Sequence, residues 1–303
     1  MFWQDKKVLV TGSEGLIGRP VVDKLTELGA TVSKFDRLLG NDVTVLSDVY
    51  QQIDGIDICI HLAADSNVES SRDNPLNSWE VNIRGTWNVL EGAHELEVPA
   101  TIIASSNHVY GQQDNYPVPE SAQMNQMDTY SITKTCADYI GRAYAHNYDL
   151  PVSIIRNTNC FGPRDEHGNH IVPGTIQAIL DGEVPVIRSS GRTKKGYLYV
   201  DDVVSAYLLI AEKLYDRQID KGEVFNVGAP PTSSLDIVRR IQILMGDVRA
   251  PIVHGEPNDQ ADEDLDTTKI RNLGWRPEYS LEQGLIKTIE WFRKNRKPQK
   301  VTA

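Results

Sequence analysis

The sequence predicts a doubly wound α/β fold, a parallel sheet with helices on both faces, joined to a smaller C-terminal α+β lobe. Three observations predict it. Short β-branched runs recur at residues 7–11, 31–35, 57–61, 100–104 and 152–156. Longer stretches with apolar residues at helical spacing, such as 16–28 and 79–96, separate them. A glycine-rich turn links the first run to the first helical stretch. Such alternation builds βαβ units, and right-handed crossovers then stack helices on both sides of the sheet.

In chain order, the five runs supply strands and the stretches between them supply crossover helices. After Gly162-Pro163 the rhythm breaks into a polar loop, a helix near 172–180, and shorter elements that end in a helix over 281–293. The expected division is a nucleotide-binding domain over 1–160 and a second lobe over 161–303, some of whose segments return to the first domain. Residues 294–303 are basic and poor in apolar side chains, so the tail is expected to fray.

Whole-chain properties narrow the functional classes. The chain has 303 residues, enough for a sizeable core, and its net charge of -11 would repel nucleic acid and anionic membranes. Cys59, Cys136 and Cys160 are far apart and form no metal-binding spacing. Free thiols, a reducing compartment and no structural metal are expected. The start, Met1-Phe2-Trp3-Gln4-Asp5-Lys6-Lys7, has no apolar core behind a basic segment, and no apolar run is long enough to span a bilayer. Cytoplasmic residence is the expectation.

Thr11-Gly12-Ser13-Glu14-Gly15-Leu16-Ile17-Gly18 follows the first strand and opens the first helix. Gly12 allows a tight turn, Gly15 removes a side chain that would block a pyrophosphate, and Gly18 lets helix approach strand. This is a Rossmann-like dinucleotide site, with Gly12, Glu14, Gly15, Leu16, Ile17 and Gly18 assigned to the cofactor. Asp36 ends the second strand, eighteen residues beyond Gly18. A carboxylate there accepts ribose hydroxyls and repels a 2'-phosphate, which favours NAD over NADP. Arg37 pulls the other way, since an arginine can meet that phosphate.

Tyr130-Ser131-Ile132-Thr133-Lys134 sets a phenol and an ammonium four residues apart, on one helical face. The ammonium and a nicotinamide charge would lower the phenol towards neutrality, making it a base for a hydroxyl proton. Ser106, after the fourth strand, would hydrogen-bond the same hydroxyl. On spacing alone, a surface tyrosine beside a solvated lysine is the stronger reading.

These motifs, with Asp42-Val43-Thr44, His61-Leu62-Ala63-Ala64, Asn82 in Val81-Asn82-Ile83-Arg84-Gly85-Thr86, Ser105-Ser106-Asn107-His108-Val109-Tyr110-Gly111, Arg156 through Pro163, Tyr197 through Asp202 and Leu273-Gly274-Trp275, are ordered along nearly the whole chain. The pattern resembles the extended short-chain dehydrogenase/reductases, the NAD-dependent nucleotide-sugar epimerase and dehydratase family. The resemblance implies a catalytic triad of Ser106, Tyr130 and Lys134, with Lys134 also holding the nicotinamide ribose. It implies Asp42 and Val43 near adenine, Leu62, Ala63 and Ala64 along the phosphate and ribose path, and Asn82 near the nicotinamide. Asn159 matches a position that contacts substrate diphosphate or sugar, although an asparagine capping a loop fits equally. A homodimer through helices at 79–96 and 128–147 is a further expectation of the family.

Arg188, Arg192 and Lys195 concentrate cations in an acidic chain, which suits a diphosphate or a solvated loop. Lys195 stands where relatives carry arginine, and Glu256-Pro257-Asn258-Asp259 where relatives read Arg-Pro-Gly-Asp. A carboxylate cannot assist a phosphate, so the nucleotide grip is rearranged or absent.

The shared opening step is oxidation of a sugar carbinol, with Tyr130 as base and NAD as acceptor. A 4-epimerase needs only room for the 4-keto sugar to turn over, and ranks first. A 4,6-dehydratase needs further proton transfer, which many relatives give to Asp-Glu after the triad serine or threonine. Asn107 and His108 stand there, assigned to substrate, and only His108 can move a proton. A hydrogen-bonded histidine at a strand end is the alternative. A uronate-type dehydrogenase ranks third on the likeness of Ser105-Ser106-Asn107-His108. A non-catalytic NAD sensor is disfavoured by the intact triad.

Overall fold

The structure, a computed structural model, describes residues 1–255 and 262–296. Its strands are β1 (Lys7–Thr11), β2 (Thr31–Phe35), β3 (Ile58–His61), β4 (Ala100–Ala104), β5 (Val152–Asn157), β6 (Asn159–Phe161), β7 (Val186–Ile187), β8 (Lys194–Tyr199), β9 (Val224–Val227), β10 (Pro231–Ser233) and β11 (Ile252–Val253). The helices are α1 (Gly18–Glu27), α2 (Leu46–Ile53), α3 (Val68–Asp73), α4 (Pro75–Trp79), α5 (Gly85–Glu95), α6 (Thr129–Asn147), α7 (Ile171–Leu180), α8 (Val200–Tyr215), α9 (Ser234–Met245), α10 (Thr268–Asn272) and α11 (Leu281–Asn295).

Six parallel strands form the large sheet in the order β2-β1-β3-β4-β5-β9. The chain leaves β1 for β2 on one side and returns to β3 on the other, so a switch point lies at β1, where open α/β sheets bind ligands. Register aligns the strand ends. Thr11 pairs with Phe35 in β2 and with His61 in β3. The residues that follow, Gly12, Asp36 and Leu62, therefore emerge along one edge.

Alternating side chains of each strand feed opposite cores. Val8, Val10, Ile58, Ile60 and Ile102 pack with Val21, Val22 and Leu25 of α1 and Val203, Tyr207 and Ile210 of α8. Leu9, Cys59, Ile103 and Ile154 pack with Val49 and Ile53 of α2 and Val89, Leu90 and Ala93 of α5. Both faces are covered, which is why these strands read as continuous apolar runs.

A third core holds Phe161, Ile176, Tyr197, Tyr199, Ile237, Leu285, Ile289 and Phe292. Here α7, α9 and α11 accompany the small sheet β10-β8-β6, antiparallel at β10 and parallel at β6. The chain beyond 161 is shared between cores, because α8 and β9 pack on the large sheet. Ser280 starts α11 with a capping box, its hydroxyl accepting from the Gln283 backbone amide while the Gln283 side-chain oxygen accepts from the Ser280 backbone amide.

Two expectations about helices are adjusted. The stretch at 79–96 is a helix that begins earlier, at Pro75, and widens into a π-turn over Glu80–Arg84 before α5. That turn carries Asn82 with its side chain turned inward, bonded to the Asp65 amide (2.7 Å), the Asp65 carbonyl (3.0 Å) and Thr133 Oγ1 (2.8 Å). The last helix runs to Asn295, two residues past the expected end at 293, and residues 297–303 of the tail lie outside those described.

Candidate active site

At the end of β1 the backbone turns through Gly12 at φ +67°. A Cβ on Gly12 would stand 2.7 Å from the Ala63 nitrogen, and one on Gly18 would stand 2.0 Å from the Gly12 carbonyl oxygen. The backbone that follows β3 lies too close to the turn for a side chain at Gly12, and the turn too close to the helix for one at Gly18. Gly15 differs, since its Cβ would meet only the Gly12 oxygen at 3.2 Å and otherwise face the open cleft. The cradle therefore has the form a pyrophosphate needs, with backbone amides and the start of α1 behind it. Asp36 is fixed at the end of β2, its carboxylate accepting from the Glu14 and Leu38 amides at 3.0 Å each. Each oxygen keeps a lone pair for a ribose hydroxyl.

The cleft above this edge has a volume of about 1210 Å³. One end is walled by Gly12, Gly15, Leu16, Ile17, Gly18, Asp36, Arg37, Asp42, Val43, Leu62, Ala63 and Ala64. The middle is walled by Ser106, Tyr130 and Lys134, and the far end by Asn107, His108, Asn159, Arg188 and Lys195. Three residues assigned from sequence are not on this wall. Glu14 turns its side chain to Arg19 (3.0 Å) and Lys34 (3.7 Å). Arg192 is exposed away from the cleft, and Asn82 is buried behind it.

Asn82 instead stands within a buried hydrogen-bond chain whose directions follow from counting donors. Thr11 Oγ1 accepts from the Leu62 and Ala63 amides, so its own proton goes to His61 Nδ1 at 2.7 Å. His61 then carries its proton on Nε2 and donates to Thr86 Oγ1 (3.1 Å), which donates to the Asn82 carbonyl (2.7 Å). Asn82 Nδ2 donates to Thr133 Oγ1, which donates to the Tyr130 carbonyl at 2.7 Å. The chain links the glycine loop to α6. Burial, then repulsion by Lys134, pushes His61 down to about 3, keeping it neutral.

Asp128 caps α6, accepting from the Ser131 amide (3.0 Å) and hydroxyl (2.6 Å). Buried Arg156 on β5 grips Asp138 of α6 at 2.8 and 3.0 Å and also donates to the Tyr110 hydroxyl at 2.8 Å. These contacts orient the helix that presents Tyr130 and Lys134 as buried groups, not as the surface pair that spacing alone favoured. Ser106 shares the cleft wall with Tyr130 and accepts from the His108 amide at 3.2 Å, and Lys134 Nζ donates to the Ala104 carbonyl at 2.9 Å. Burial pushes Tyr130 up to about 12, against the polar influence of the Ser106 hydroxyl and with the help of Asp128 and Asp65. The expectation of a lowered phenol is thus reversed within the protein alone. Desolvation outweighs every favourable contact, and it also pushes Lys134 down to about 8.

At the far end, His108 packs edge-on against Tyr130, ring centroids 5.7 Å apart. Glu263, which sequence reasoning missed, receives Asn107 Nδ2 at 2.6 Å, Asn159 Nδ2 at 3.3 Å and Lys195 Nζ at 3.2 Å, with His108 Nε2 at 3.9 Å. It sits in Asp262-Glu263-Asp264, which reads locally as a solvated acidic turn. Arg188 is held by Glu69 at 2.9 Å and by Asn169. The Glu256-Pro257-Asn258-Asp259 departure lies outside the described residues.

Known proteins bear on this geometry. A family model described as the NAD dependent epimerase/dehydratase family matches residues 8–228. A UDP-glucose 4-epimerase of Mycolicibacterium smegmatis is 31% identical over 95% of this chain and 98% of its own length. A dTDP-D-glucose 4,6-dehydratase of Homo sapiens is 28% identical over 96% of this chain and 91% of its own. A solved structure of UDP-glucose 4-epimerase with UDP-glucose from Thermotoga maritima superposes with a TM-score of 0.88 at 30% identity, covering 95% of this chain and 99% of that one.

Proposed function

This chain belongs to the NAD dependent epimerase/dehydratase family, and on that premise we propose that it is a sugar-nucleotide 4-epimerase working through a 4-keto intermediate. The family makes it an enzyme that uses NAD. The observation that carries the reading is the gathering of Ser106, Tyr130 and Lys134, all buried, on the wall of the cleft that begins at the glycine cradle.

In this reading the cradle of Gly12, Gly15 and Gly18 takes the pyrophosphate and Asp36 the adenosine ribose. Bound NAD supplies a hydride acceptor that later returns the same hydride. Tyr130 removes the carbinol proton, and Ser106 holds the oxygen as it becomes a carbonyl. A phenol near 12 is a poor base at neutral pH. The positive ring of the cofactor is the charge that would bring it down. An epimerase then needs only this one proton carrier and room for the ketone to turn over.

A second reading, the 4,6-dehydratase, draws support from one feature. His108 is a titratable group against Tyr130 with a carboxylate beside it. A homodimer is also proposed, supported by Trp87 on α5 and Tyr139 on α6, 43% and 54% exposed. A monomeric mass by light scattering would remove it.

The decisive experiment incubates the protein with NAD and a panel of sugar nucleotides and free uronates, following NADH absorbance and product mass together. An isomer without net NADH is expected. Loss of one water would establish the dehydratase, and stoichiometric NADH would make the enzyme a dehydrogenase.

A further inference from the structure

The substrate end of the cleft is built around a carboxylate. Glu263 is only 14% exposed at its side chain and lies under Asn107, the residue that follows Ser106. Its backbone is pinned on both sides. The Glu263 amide donates to the Lys194 carbonyl at 2.8 Å, the Lys194 amide donates to Asp262 Oδ1 at 2.8 Å, and the Val118 amide donates to the Asp264 carbonyl at 2.8 Å. Burial by itself would raise its pKa, but His108, Lys195 and Asn107 outweigh burial and hold the group ionised.

We propose that Glu263 is a specificity-determining residue that reserves this subsite for a neutral, hydroxyl-bearing sugar and excludes one carrying a carboxylate. The inference rests on the sugar-nucleotide reading above.

Charge and hydrogen-bond capacity both point this way. Lys195 is the cation that would attract an anionic sugar, and it is neutralised by Glu263 at 3.2 Å. The amides of Asn107 and Asn159 donate to the same carboxylate. Glu263 does not line the cleft itself but stands behind Asn107, Asn159 and Lys195, which do, so it acts on the sugar by taking up their protons and offsetting the charge of Lys195. A sugar hydroxyl tolerates that arrangement, whereas a second carboxylate would approach the Glu263 charge. Like charges so placed lower affinity by on the order of a hundredfold or more.

The test uses the full chain and matched pairs that differ only at carbon 6, UDP-glucose against UDP-glucuronate, and the same pair on dTDP. Calorimetry with NAD present reads affinity, and turnover is read separately. Wild type is expected to favour the neutral member by about a hundredfold. Glu263→Gln keeps the shape and removes the carboxylate charge beside Lys195, so the preference should fall to about tenfold or less, or invert. A general loss of structure would weaken both sugars alike and leave the ratio unchanged. NAD affinity of the variant checks that it folds, and if it does not, the wild-type ratio still decides. Equal affinity of wild type for both sugars, or an unchanged ratio in a folded Glu263→Gln protein, overturns the proposal and leaves the enzyme reading intact. Binding of neither sugar nucleotide overturns both, and binding without turnover overturns only the reaction.

Discussion

The two ends of the cleft are built on different principles. The cofactor end is built on the continuous turn over residues 12–18 with the ends of β2 and β3 beside it, and its critical features belong to the backbone: the positive φ of Gly12 and the close approach at Gly18. The substrate end is made of side chains from remote segments, with Asn107 and the Glu263 that it contacts 156 positions apart in the chain. A backbone cradle recognises what all dinucleotides share. A set of side chains gathered by the fold can change one partner at a time, and this is where relatives that act on different sugars can diverge without disturbing the cradle.

The largest effect that would sharpen the comparison is at the junction. Tyr130→Phe should lower kcat by about a hundred- to ten-thousandfold while NAD affinity, measured by fluorescence titration, stays within about threefold. A matching loss of NAD affinity would mean that the two ends are not separable.

His61→Leu asks whether the cofactor end is as local as it looks. Removing the ring leaves Thr11 and Thr86 without their partner, and denaturant unfolding should report a loss of about 2–4 kcal/mol. The wild-type pH profile carries the same information. His61 sits at about 3 in the folded chain against an ordinary 6.5. Its contribution to stability is therefore complete above pH 6.5 and is lost as pH falls towards 3, with a slope of up to about 1.4 kcal/mol per pH unit. A His61→Leu protein should lack that part of the acid slope.

Lys134→Met should separate stability from activity. The folded pKa of about 8 lies below the ordinary 10.5, so Lys134 costs stability as pH falls from 10.5 to 8, and the full penalty persists below that. At pH 7 the variant should be more stable by about 1–3 kcal/mol, after allowing for the lost bond to Ala104, and the gain should shrink above pH 8. Turnover should fall sharply. A less stable, inactive protein would mean that the bond to Ala104 matters more than desolvation.

The smallest effect is confined to the cofactor end. Asp36→Ala should weaken NAD by about tenfold and narrow its advantage over NADP, with no change in which sugar is preferred. A shift in sugar preference would break the comparison.

How far sequence reasoning reached follows the same division. Strands β1, β3, β4 and β5 were readable because both faces are buried, the edge strand β2 only from its β-branched Thr31 and Val32, and the glycine loop because each glycine answers a local steric demand. The Tyr130–Lys134 spacing was readable, but not its burial, which depends on Arg156 of β5 gripping Asp138 and on the Asp128 cap. Glu14 was misjudged because a motif position says nothing about where a long side chain goes once Arg19 and Lys34 are near. Asn82 was expected at the nicotinamide, whereas its side chain turns back to join Asp65 and Thr133 across the π-turn.

By itself the sequence determined the parallel sheet and the dinucleotide cradle, because hydrophobic period and glycine sterics act over a few residues, while Ser106, Tyr130 and Lys134 were singled out together only through the family resemblance. Tertiary structure alone decided that the phenol sits near 12 and not near neutrality, and that Lys195, Asn107 and Asn159 converge on one carboxylate. Desolvation and the meeting of distant charges have no local signature. They exist only once the chain has closed around them.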